Sequence, residues 1–185
     1  MVDTNMSVNT NMTVAQVTGG LDLETFMMMV QAERANNLES QMAQQINEIK
    51  ERQARIAELN QLLADIRALR PSGDDPNKSA NLGENNAKAK EMLDRLKAAG
   101  VTIKTSTDDA GRVYEDKGMY SAKQISFDKW IEELKGKLDA LNNTAQLDMI
   151  RLQSLSNKRN EAFEQLTNFI QKIAKSKESV IGNMR

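Results

Sequence analysis

From Phe127 to Val180 the chain keeps one apolar heptad register almost without a break. Position a runs Ile131, Leu138, Ala145, Leu152, Arg159, Leu166, Ile173, Val180. Position d runs Phe127, Leu134, Leu141, Asp148, Leu155, Ala162, Phe169, Ser176, so that only Asp148, Arg159 and Ser176 are polar in the two series. A seam repeating every 3.5 residues predicts a long helix with one side facing another helix throughout. The helix is expected to start at Ser121, which with Gln124 matches a capping box, or at Ser126. It is expected to reach Ile181, with Gly182 ending it.

A second, more polar register predicts a first long helix over 22–69, after Gly19-Gly20 and with Asp22 as N-cap. Its a series is Met28, Ala35, Met42, Ile49, Ile56, Leu63, and its d series is Gln31, Leu38, Gln45, Arg52, Leu59, Ile66. Phe26-Met27-Met28-Met29-Val30 is apolar on every side, a pattern that calls for burial from several directions, by the chain's own bundle or by neighbouring subunits. Residues 70–84 are rich in turn formers. A short amphipathic helix follows over 86–99, with Gly100 as its C′ residue. Val101-Thr102-Ile103 could be a short extended piece, Asp108-Asp109-Ala110-Gly111 reads as a turn, and Arg112 to Gly118 shows no clear period.

The expected fold is therefore mainly α: a long antiparallel coiled-coil hairpin of N- and C-terminal helices with a small irregular insert between them. Its parts are a leader at 1–20, a first helix at 21–70, a central insert at 71–120 and a last helix at 121–185. Placing Leu69 opposite Ile131 makes facing positions sum to about 200. The intramolecular seam then comprises Ile49, Ile56, Leu59, Leu63 and Ile66 against Leu134, Leu138, Leu141, Leu152 and Leu155. The same register sets Arg52 against Asp148, a buried cation against a buried carboxylate that could fix the alignment.

One facing helix covers only a and d. Met149, Phe163 and Ile170 fall at position e of the last helix, and Leu147 and Ile150 add apolar surface around Met149. The 86–99 helix, about 20 Å long at ~1.5 Å per residue, is too short to cover that stripe. Large uncovered apolar surface on a soluble chain marks an interaction site. Self-assembly is thus expected through Phe26, Met27, Met28 and Met29 at one end and Met149, Phe163, Leu166, Phe169, Ile170 and Ile173 on the last helix.

Composition narrows the function. The formal charge is −1, from 25 basic and 26 acidic residues, so no net positive field exists to collect phosphates and nucleic acid is a poor candidate. With no cysteine and no histidine, disulfides, thiolate metal sites and Ser–His or Cys–His chemistry are excluded. The sequence has no glycine-rich phosphate loop, and its loop carboxylate doublets, Asp74-Asp75 and Asp108-Asp109, do not continue into a calcium-loop spacing. No enzyme, cofactor or metal is expected, and no run is apolar enough for a membrane span. Residues 1–20 carry one charged side chain, Asp3, and lack the basic and apolar regions of a general secretory signal. They read either as an ordinary disordered terminus or as an uncleaved export signal of the type III kind.

The stretch from Met149 to Lys172 (MIRLQSLSNKRNEAFEQLTNFIQK), above all AFEQLTNFIQK from Ala162, resembles the last helix of type III secretion needle-tip proteins and EspA-like filament proteins. The order of parts agrees over nearly the whole chain: polar leader, long helix, variable insert, longer C-terminal helix. The resemblance implies a secreted, extracellular, non-enzymatic protein at the needle tip. Its partners would be further copies of itself in a helical homopolymer or ring, the needle subunit, the hydrophobic translocators and a cytosolic export chaperone. There is no room for the sizeable domain that precedes the central helix in larger tip proteins, so the filament-forming branch fits better. The competing expectation is a cytosolic coiled-coil adaptor or type III export chaperone. A hydrolase working through carboxylates alone would need a pocket and perturbed acids.

Overall fold

The computed structural model describes residues 23–104 and 110–183. The leader, with Asp22, and the Asp108-Asp109 part of the expected turn lie outside the described residues. Within them the protein is mainly helical, with three helices and a small antiparallel sheet. The order is α1 (Leu23–Leu69), β1 (Ser79–Asn81), α2 (Asn86–Ala98), β2 (Val113–Asp116), β3 (Met119–Lys123) and α3 (Gln124–Asn183). The chain divides into two compact units, one of residues 1–45 with 151–185 and the other of residues 46–150.

The central unit (46–150) holds the larger core. Helix α1 stops at Leu69 because Arg70 precedes Pro71, and a residue before proline is pushed out of the α region. Arg70 then clamps α1 to α3 through Asp128, its Nε donating to Oδ1 at 2.5 Å and an Nη to Oδ2 at 3.1 Å. Leu59, Leu62, Leu63 and Ile66 of α1 meet Phe127, Trp130, Leu134 and Leu138 of α3, with Met92, Leu93 and Leu96 of α2 closing the cluster. Trp130 is fully buried; it packs edge-on to Phe127 at 5.6 Å and donates its indole N–H to the Thr102 carbonyl at 3.0 Å. A buried indole needs such a partner to avoid a desolvation cost. Four of the seven aromatic residues, Tyr114, Tyr120, Phe127 and Trp130, belong to this unit.

Helix α2 has well-formed ends. The Asn85 side chain accepts from the Lys88 N–H at 3.0 Å. At the other end Gly100 adopts φ +69, which lets its N–H reach the Lys97 carbonyl and the Val101 N–H reach that of Leu96. Those two bonds satisfy carbonyls that the helix would otherwise leave orphaned.

The segment expected to be irregular contains a three-stranded sheet in the order β1-β3-β2. Both pairings are antiparallel, and they align Ala80 and Val113 on either side of Ala122, which is fully buried. Lys117 (φ +50) and Gly118 (φ +83) make the two-residue turn between β2 and β3, the left-handed pair that suits the twist of a hairpin. Asn86 pins the turn to α2 by donating to the Lys117 carbonyl at 3.0 Å. Residues 101–103 form no strand; beyond them Lys104 makes an isolated bridge with Arg112.

Two expected boundaries are corrected. Helix α3 starts at Gln124, not Ser121 or Ser126, because residues 119–123 are spent on β3. Its first N–H groups are satisfied from outside: Gln124 donates to the Lys78 carbonyl and Ile125 to that of Pro76. Helix α3 also runs past Gly182 to Asn183. Gly136 sits in its interior, exposed, with open space where a Cβ would be. Gly136→Ala is expected to stabilise the protein by roughly 1 kcal/mol, read as a rise of a few degrees in the thermal midpoint followed by circular dichroism.

The terminal unit (23–45 and 151–183 as described) is a helix pair with a thin core of Ala35, Leu38 and Ala162, against which Leu155 packs. In both units the α1 and α3 segments run antiparallel: Arg52 meets Asp148 and Arg70 meets Asp128 in one, while Gln31 lies near Phe169 and Leu38 near Ala162 in the other.

Candidate assembly surface

The seam residues fall into three environments. In the central unit Leu59, Leu63, Ile66, Leu134 and Leu138 are buried, Ile56 and Leu141 pack against that core half-buried, and Ile49 is half-buried. In the terminal unit Leu152 and Leu155 are half-buried. Arg52 and Asp148 form an ion pair, the Asp148 side chain almost wholly buried and the Arg52 side chain about one-fifth exposed.

The residues expected to carry self-assembly divide by heptad position. Leu166, Phe169 and Ile173, at a and d, are half-buried, as are Phe26, Met27 and Met28. The e positions are uncovered. Met149 in the central unit is 57 % exposed; Phe163 and Ile170 in the terminal unit are 41 % and 51 % exposed. Met29 and Val30 are exposed too. Helix α2 does not cover Met149, because its apolar face is committed to the core with Leu59 and Trp130. Each unit therefore presents apolar surface of its own: Leu147, Met149 and Ile150 on one, and Met29, Val30, Phe163 and Ile170 on the other.

Sequence reasoning missed two features. Ile46 occupies position e of the first helix and is exposed, a signal available from the same register that exposed Met149. Gln31 interrupts the first d series as visibly as Arg52 does, yet its consequence depends on its surroundings. It is 8 % exposed, and its Oε1 is buried with no hydrogen-bond partner among the described residues. A cleft of about 150 Å³ opens beside it, lined by Met27, Gln165, Asn168, Phe169 and Lys172. Arg159, the cation of the a series, likewise keeps its Nε buried without a partner, with one Nη donating to Asn160 Oδ1 at 3.2 Å.

Concave surface exists in the central unit. Grooves of about 400 and 370 Å³ flank the Arg95–Asp65 ion pair (2.7 Å) where α2 lies along α1. Three of the acids there are held in ion pairs, Glu58 by Arg55 at 3.1 Å among them. Asp65 is held by Arg95, and Glu84 by Lys88 at 2.7 Å. The hydrogen bond and the charge of Lys88 hold the Glu84 carboxyl below its usual range, the opposite of what a general acid needs. No cluster of three or more potential metal ligands occurs among the described residues, and no helix there is long and apolar enough to cross a membrane.

No protein-family model, curated protein or solved structure matches this chain.

Proposed function

We propose that the protein is a structural subunit which self-assembles into an extracellular filament or tip complex on a type III secretion needle. There it supports assembly of the translocator pore and delivery of effectors to host cells. The observation that carries this reading is the apolar surface left uncovered at position e of α3, Met149 in one unit and Phe163 with Ile170 in the other. A helix face wider than its intramolecular partner can cover is built for further helices. The antiparallel pairing of α1 with α3, with Arg52 set against Asp148, supports reading the pair as a coiled-coil hairpin. The resemblance of residues 149–172 to needle-tip and EspA-like proteins supplies the setting: secretion, a needle subunit below, hydrophobic translocators above, and an export chaperone before release. In this role the chain does no catalysis and binds no cofactor. A chain without disulfides is also suited to passing unfolded through a narrow channel.

Electron microscopy of the purified protein is expected to show fibres or rings at high concentration. Removal of residues 1–20 is expected to abolish its appearance in the medium of secreting cells while leaving the cytosolic protein folded. A chain that stays monomeric at high concentration contradicts the assembly role. One retained inside the cell with or without the leader is instead an adaptor or export chaperone.

A further inference from the structure

We infer that residues 1–18 fold back at Gly19-Gly20 and lie along the e side of the terminal unit, covering Phe163 and Ile170 until a second copy displaces them. In the self-assembly reading, on which this rests, the leader thereby competes for the face that another subunit takes. The two long sides of the helix pair differ in kind. Met27, Gln165 and Lys172, all at position g, line one cleft, so position e of both helices lies on the opposite side. The g positions carry Arg34, Arg151, Lys158 and Lys172. From Gln153 to Ala174 the b and e positions of α3 carry no charge, and those of α1 from Met29 to Ala43 carry only Glu39. Met29, Phe163 and Ile170 stand exposed there. An occupant of that side has to be apolar or neutral, since a charge buried without a partner is costly.

The leader meets that requirement in composition, pattern and reach. Asp3 is the one charged side chain of residues 1–20. Val2, Met6, Val8, Met12 and Val14 fall at even positions, with Asp3, Asn5, Ser7, Asn9 and Asn11 between them. Alternation of this kind is the period of an extended segment with one apolar edge. Two consecutive glycines permit the chain to reverse before α1 begins. Leu38 lies near Ala162 and Gln31 near Phe169, a register that starts α1 level with residue 177 of α3. From that level back to Gln153 is about 36 Å of helix at ~1.5 Å per residue. Eighteen extended residues span up to about 60 Å, enough to run past both Ile170 and Phe163. A segment tethered beside its face also meets it at an effective concentration in the millimolar range, which a second copy of a dilute subunit does not reach. The free subunit is thus held single until its concentration lets the contact between copies win.

The chain has no cysteine, so two introduced thiols report one contact. A disulfide forms only where the two Cα atoms come within about 7 Å. In dilute monomer under mild oxidation, Val14→Cys combined with Thr167→Cys, on the e side, is expected to close within one chain at least ~10-fold faster than Val14→Cys combined with Gln165→Cys, on the g side. Equal rates, or a faster Gln165 pair, overturn the inference. Removal of residues 1–20 provides a second measurement: it is expected to lower the concentration at which the purified protein assembles by at least ~10-fold, read by sedimentation. An unchanged or raised threshold overturns the inference. If the intact and the shortened chain both stay monomeric at every concentration, the self-assembly reading fails, and the thiol pair, which needs no assembly, still decides whether the leader covers this face.

Discussion

Arg52→Leu is expected to lower the free energy of unfolding by about 3 kcal/mol, and adding Asp148→Leu is expected to restore a substantial part of it. The asymmetry of burial explains the size. Asp148 is 1 % exposed and sits in the seam between α1 and α3, whereas Arg52 keeps about one-fifth of its side chain in water. Removing the guanidinium takes the countercharge from a carboxylate that is held out of water, which destabilises the closed seam. Removing both charges leaves two leucines at facing d positions, continuing the layers above and below. Urea denaturation of the wild type, both single variants and the double variant forms a complete cycle. A coupling free energy near zero would show that the two side chains act independently and would sink the pairing as a register device.

The alignment of that pair was legible because the heptad constrains it twice. Each helix has one charged residue in an otherwise suitable d position, and the hairpin register that pairs Leu69 with Ile131 brings those two intruders level. The sheet was hidden for three physical reasons. Its strands are only three to five residues long, too short for alternation to stand out. Its turn uses Lys117 at positive φ, where Asn, Asp or Gly is the recognisable signal. Its last strand runs directly into α3, so Ser121 and Gln124 imitate a local cap while the N–H groups at the helix start are satisfied by carbonyls of Pro76 and Lys78, far away in sequence. Of the candidate surface, the e positions were visible from period alone. Leu147 and Ile150, at c and f, were read from the sequence as additions around Met149, and the fold leaves both exposed.

The two units satisfy their seams to different degrees. In the central unit the polar intruders neutralise each other, and a sheet, a third helix and the Phe127–Trp130 pair add to the core. The terminal unit has small residues at its centre, Ala35 and Ala162, and buries polar atoms of Gln31 and Arg159 that find no partner among the described residues. It also exposes Phe163 and Ile170. In the proposed assembly, the arrival of further helices would thicken this packing and cover the exposed apolar side chains. The central unit is expected to hold its structure in the free subunit, and the terminal unit to gain most of its stability on assembly, a division that hydrogen exchange on monomeric and assembled protein would resolve.

Phe163→Asp and Ile170→Asp are each expected to abolish assembly while leaving the subunit folded. Both residues are exposed in the single chain, by 41 % and 51 %, and lie at e beside the a/d seam, so a carboxylate at either position can stay in water. In an assembly the same positions are desolvated. Losing the burial of one large apolar side chain removes roughly 1.5–3 kcal/mol from the contact. Burying an unpaired carboxylate in its place adds a further penalty of at least similar size. Together these raise the concentration needed for assembly by about a hundredfold to ten-thousandfold, since each 1.4 kcal/mol is a factor of ten. Each contact in the polymer carries the same defect, so the loss is expected to be complete at any attainable concentration rather than graded. Sedimentation and electron microscopy should find monomers with wild-type helical content. Retention of fibres by both variants would exclude Phe163 and Ile170 as the assembly surface and shift attention to Leu147, Met149 and Ile150 of the central unit.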